Sequence, residues 1–198
     1  PYASKALKKR IDELLKEEIQ PNFNKAVEQL LLSERKIDEF TGYIIFDLEL
    51  IKNIILYILE FQVTFKTKIN KLLWYIDFVH FRKYSVSVTG NSYTHSQYGP
   101  TPDDYDLIIS IMLKSELIGK DEVIAHNEIR EQFKPLVTSD KSMFSEDTLE
   151  TINFVLNKFK GFNCAKISDY SHEEIPYKKT IEGEKISYKL AEELSLKA

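Results

Sequence analysis

Apolar positions at helical spacing open the chain. Leu7, Ile11, Leu14, Leu15 and Ile19 lie on one side of residues 4–19, with Lys and Glu filling the other, so an amphipathic helix is expected there. Pro21 ends it, and Asn22 can cap a second helix carrying Phe23, Val27, Leu30 and Leu31. Residues 33–46 turn polar and break at Gly42, which marks a linker. Asp47 is a good cap for a third helix with Leu48, Ile51, Ile55, Ile58 and Leu59 inward. Thr64 is the expected cap of a fourth, about Phe65 to Tyr84, whose buried stripe is Ile69, Leu72, Leu73, Ile76 and Val79. Trp74, Tyr75, His80 and Lys83 fall outside that stripe and are expected on its exposed face.

The pattern changes after Tyr84. Residues 85–102 are polar and β-branched, with Gly90, Gly99, Pro100 and Pro102 as punctuation. A short strand fits Ser92 to Gln97, and Gly99 and Thr101, each before a proline, are expected to be extended. Asp103 is the expected cap of the next helix, with Asp104 and Asp106 in its first turn, where the helix dipole favours anions, and Ile108, Ile111 and Met112 inward. Val123–Ala125 and Glu128–Phe133 read as two strands about the tight turn His126–Asn127. Ser145 opens a helix with Leu149, Ile152, Val155, Leu156 and Phe159, stopped by Gly161, and a short helix follows Asn163. A loop with Pro176 and Gly183 leads to a last helix near Tyr188 to Leu194. The expected fold is α+β, mainly α-helical, with a small antiparallel sheet of about three short strands.

Composition narrows the function classes. One cysteine, Cys164, excludes a disulfide framework and a Cys-based zinc or iron–sulfur site within the chain. The longest apolar run is six residues, Ile54 to Leu59, far short of the ~18 needed to cross a bilayer, so no membrane segment is expected and the cytoplasm is the default location. Residue 1 is Pro and the first Met is Met112, which raises the expectation of a missing N-terminal segment. The net charge of −4 argues against a nucleic-acid binder, and the charge is uneven: residues 51–100 carry 6 basic and 2 acidic groups, residues 101–150 carry 5 and 12. Solvated faces account for this, and so does a bipolar surface that orients a charged partner.

Candidate chemistry is sparse. Asp77 and His80, three apart on the fourth helix, can touch, as a general base or half a metal site would require, but no nucleophile is paired with them. His95, His126 and His172 lie in separate segments, and no glycine-rich phosphate loop is present. The carboxylates of Asp103, Asp104 and Asp106 are explained by a helix start, and Cys164 by packing. The helix at 104–116 followed by the 123–133 hairpin imitates a winged helix, although the acidic block opposes phosphate contact. More informative is Tyr93 to Tyr105, which gathers Tyr93, Tyr98, Tyr105, two prolines and a glycine. Tyr is a residue that interfaces favour, being large, rigid and amphipathic.

The stretch Lys66 to Asp106 strongly resembles the Panacea domain, also called the SocA-like antitoxin domain. The matching motifs are the helix segment Lys68 to Trp74, the step Thr89–Gly90, and Tyr98 to Pro102 before a helix. Phe46 to Glu60, Lys166 to Glu174 and Glu184 to Leu194 also look like the family. The resemblance implies a domain over 44–198, after a helical extension and linker at 1–43. It implies an antitoxin of a bacterial or phage toxin–antitoxin pair that binds its toxin directly, with no catalytic residues and no cofactor or metal. DNA contact would come only through an upstream module, absent here, and residues 4–32 could pair with a second copy. Trp74, Tyr75, His80, Lys83, Tyr93, His95, Tyr98, Pro100 and Tyr105 are the expected partner contacts. A DNA-binding autoregulator of its operon and a proteolytic adaptor are the alternatives.

Overall fold

Helix α1 (Leu48–Phe61) starts where Asp47 accepts the Leu50 amide at 2.8 Å, and it buries Leu48, Ile51, Ile54, Ile55, Ile58 and Leu59. This is part of a computed structural model that describes residues 35–125 and 128–197. The helices expected at 4–19 and 22–32, their pairing with a second copy, and the turn His126–Asn127 lie outside those residues.

Strand β1 (Thr64–Phe65) runs directly into α2 (Lys66–Tyr84). Thr64 is therefore not a helix cap as expected. It pairs with Phe133 in a sheet, and Phe65 occupies the cap position without a side-chain bond. Every residue of α2 from Lys68 to His80 is buried, so the helix has no solvent face along that length. Ile69, Leu72, Leu73, Trp74, Tyr75, Ile76 and Phe78 supply the apolar part, each worth roughly 1.5–3 kcal/mol when fully buried.

Strands β2 (Tyr93–Ser96) and β3 (Gly99–Pro102) form a tight hairpin against α2. Helix α3 (Tyr105–Lys114) follows, then β4 (Ile118–Ala125) and β5 (Glu128–Pro135). The strands expected as one sheet belong to two: an antiparallel sheet in the order β1-β5-β4, and the β2–β3 hairpin. Neither β1 nor β3 shows a period-2 pattern, the one being two residues long and the other half proline, so neither carries a strand signal. Segment 180–186 lies beside the outer edge of β2, with Gly183, Glu184 and Ile186 bonded to His95 and Tyr93.

Helix α4 (Glu146–Phe159) opens at Ser145, which accepts the Thr148 amide, and α5 (Cys164–His172) opens at Asn163, which accepts the Lys166 amide. Both pack against α2. The expected loop around Pro176 contains a one-turn helix, α6 (Ile175–Lys178), and the last helix is a 3-10 turn at Tyr188–Glu193. The fold is α+β, helical elements wrapped on a central helix with two small antiparallel sheets.

Candidate functional site

The buried face of α2 is more polar than a core helix ordinarily tolerates. Lys68, Asn70, Lys71, Asp77 and His80 are all inside. Buried polar groups need partners, and on this helix several are the backbone of irregular segments. Lys68 Nζ donates to Gln62 Oε1 and to the Phe162 carbonyl, both at 2.7 Å. His80 Nδ1 lies 2.9 Å from the Val86 carbonyl. Lys71 Nζ donates to the Pro100 carbonyl at 2.8 Å.

Asp77 is the densest node. Its Oδ1 accepts the amides of Val88 and Thr89 at 2.8 and 2.9 Å, and its Oδ2 accepts the Thr89 and Tyr93 hydroxyls, both at 2.6 Å. Burial pushes the carboxyl above its ordinary range, and these bonds pull the other way. The Asp77 carboxylate is thus engaged with the Thr89–Gly90 step and β2 rather than orienting His80. Gly90 sits at φ +68°, and a Cβ there would lie 2.6 Å from the Ile45 carbonyl carbon and oxygen, so the step admits no side chain.

The β2–β3 turn is held from below and from both sides. Lys71 holds Pro100, Ser168 Oγ donates to the Tyr98 carbonyl at 3.0 Å, and Tyr177 donates its hydroxyl to the Ser96 carbonyl at 2.9 Å. His95 bonds the Thr180 carbonyl at 2.7 Å and stacks on Tyr177 at 3.7 Å, while His172 stacks on the same ring at 4.9 Å. Gly99 is not extended in the ordinary sense. It adopts φ +93°, and a Cβ would meet Lys71 Cε and Ser171 Oγ at 2.7 Å. Lys71 has no carboxylate partner among the described residues, and burial lowers its pKa to about 7. Burial also lowers the pKa of His172, and Lys71 adds to the effect.

The expected contact residues divide sharply. Trp74, Tyr75, His80, Tyr93, Pro100 and Tyr105 are buried, which removes them from the surface. Trp74, Tyr75 and Phe78 form a ring cluster with Phe159 and Tyr188, and Tyr93 meets Phe78 edge-on. Tyr105 is a core ring whose hydroxyl has no hydrogen-bond partner among the described residues. Tyr105→Phe should accordingly leave the melting temperature unchanged or raise it, by up to about 1 kcal/mol of stability; a clear loss would mean the hydroxyl has a partner. Lys83 is exposed and paired with Glu150 at 2.9 Å. His95 is half-buried. Tyr98 alone of the five aromatic candidates faces solvent, 70% exposed at the tip of the fastened turn.

Two further apolar side chains accompany that end of the molecule. Ile181 is 68% exposed, one residue after the Thr180 that holds His95, and Ile175 is 41% exposed at the start of α6. Sequence reading missed both, together with Lys71, Ser168 and Tyr177. The polarity of Lys71 pointed outward, although its place in the Lys68 to Trp74 motif was a signal. The carboxylates at the start of α3 are tied up structurally: Asp103 accepts Thr94 Oγ1 at 2.7 Å, Asp104 pairs with Arg35 at 2.9 Å, and Asp106 pairs with Lys66. Asp104, in the left-handed conformation, takes the cap position expected of Asp103. Among the described residues, no three His, Cys, Asp or Glu side chains are grouped to hold a metal ion, and no helix is long and apolar enough to cross a membrane.

A buried polar helix that fastens a Thr–Gly step and a Tyr–Gly–Pro turn defines a recognisable class of domain. The family model for the antitoxin SocA-like, Panacea domain matches residues 69–178, more than half of the chain, which therefore belongs to that family. No curated protein and no solved structure matches the chain.

Proposed function

We propose that this domain is a non-enzymatic antitoxin that neutralises a bacterial or phage protein toxin in the cytoplasm by direct contact through the Tyr98 turn. One observation carries the reading: an aromatic side chain 70% exposed stands on a turn whose backbone is bonded by Lys71, Ser168 and Tyr177. A rigid exposed aromatic contributes contact area without the ordering cost of a flexible loop. Ile181 and Ile175 are exposed as well, and their chain neighbours Thr180 and Tyr177 bond and stack on half-buried His95. The toxin is inhibited by being covered at its active site or held in an inactive shape.

Co-expression with the product of the adjacent reading frame tests this. The neighbour alone should arrest growth, and this chain should relieve the arrest at constant neighbour level. Relief with falling neighbour level would instead indicate a proteolytic adaptor. Arrest that persists despite abundant folded chain would contradict the proposal.

A further inference from the structure

The sheet β1-β5-β4 ends at β4, and no described residue pairs with its outer edge. The orientation of that edge follows from the register. The connection between Ala125 and Glu128 is two residues long, so these two form a bonded pair, and the alternation runs down the ribbon. The bond from the Leu136 amide to the Leu117 carbonyl at 2.9 Å belongs to the same set. Odd-numbered residues of β4 therefore bond to β5, and Lys120, Glu122 and Ile124 present their backbone groups outward along the open part of the edge, while Ile118 at its start is buried. Ile124 is 83% exposed. The exposed part of that edge, residues 120–124, is a template for another strand.

We propose that β4 pairs antiparallel with β4 of a second copy of this chain, about a two-fold axis at Asp121, joining the two three-stranded sheets into one of six. Charge selects the occupant and the register. About Asp121, Lys120 of each copy stands opposite Glu122 of the other. Moving the axis to Lys120 sets Lys120 against itself and Ile118 against Glu122. Moving it to Glu122 sets Glu122 against itself and Lys120 against Ile124. Opposite charges facing each other across strands attract and like charges repel, so of the three the Asp121 register is the most complementary, its two Lys120–Glu122 pairs set against one Asp121 pair. The two Asp121 side chains meet at the axis, each held by its own Lys134 at 2.7 Å. Lys120, bonded to Glu131 within the ribbon, is also drawn toward the added carboxylate.

Sedimentation equilibrium of the full chain, with circular dichroism to confirm folding, tests the pairing by charge exchange. The wild type should self-associate with rising concentration. Lys120→Glu and Glu122→Lys should each weaken this by about tenfold or more, since two like-charge contacts replace two attractive ones. The double variant Lys120→Glu/Glu122→Lys should restore it. Mixing the two single variants should give a heterodimer, because both facing 120–122 pairs are then opposite in sign. Glu131→Gln, which removes only the pairing within the ribbon, should leave association intact. A wild type that stays monomeric overturns the proposal. So does association insensitive to the single variants, as pairing through residues 4–32 would be, or single variants that do not recover on mixing.

Discussion

Replacing Asp77 by Ala is expected to lower the unfolding free energy by about 3–5 kcal/mol, the cost of removing one partner from a buried charged network. The carboxylate accepts four donors, and Ala leaves two amides and two hydroxyls without an acceptor in the interior. Asp77→Asn should cost far less, about 1–2 kcal/mol. Its remaining oxygen can accept the Val88 and Thr89 amides, and its NH2 can donate to the Thr89 and Tyr93 hydroxyls, which rotate to accept. Urea denaturation of the three proteins reads the difference directly. Equal losses for Ala and Asn would mean that the bonding pattern at the Thr89–Gly90 step does not hold the fold together.

Lys71 should make stability rise with pH. In the folded chain its ammonium is buried with one acceptor, and its pKa falls from 10.5 to about 7. Between those values the unfolded chain holds a proton that the folded chain has released, so unfolding becomes harder as pH increases. Below about pH 7 both states are protonated and the penalty is constant. At 1.36 kcal/mol per pH unit, the full span is worth roughly 4–5 kcal/mol. Lys71→Met fills the same space without a charge. Relative to that variant, the wild type should gain roughly 2 kcal/mol between pH 7.5 and 9.5. At pH 7 the variant should be the more stable, less the bond lost at Pro100. Parallel pH profiles for the two proteins would show that Lys71 is not buried as an amine.

The elements with a clean pattern were legible in the sequence. Asp47, Ser145 and Asn163 cap helices where their side chains and the following apolar stripes placed them, and the β4–β5 ribbon was visible as two runs about a turn. The central helix was legible as a helix but not as the centre. Its stripe reading assigned Trp74, Tyr75 and His80 to solvent because Lys68, Asn70, Lys71 and Asp77 share their side. Lys68, Lys71 and Asp77 are inside because they bond to segments far along the chain, from Tyr93 to Phe162, and no local periodicity records such partners. The Tyr93–Tyr105 stretch stood out in the sequence by its tyrosines, prolines and glycine. Which of its rings would face out depends on tertiary packing: Phe78 and Tyr188 take in Tyr93, and Tyr98 is left at the tip.

The central claim is that Tyr98 anchors a protein partner, and calorimetric titration of the adjacent reading frame's product into wild type and Tyr98→Ala tests it most directly. Melting curves run alongside should be superimposable, because the side chain is mostly in solvent. The account predicts that Tyr98→Ala, equally stable, binds about 1–3 kcal/mol more weakly. A stable Tyr98→Ala that binds with unchanged affinity would contradict it.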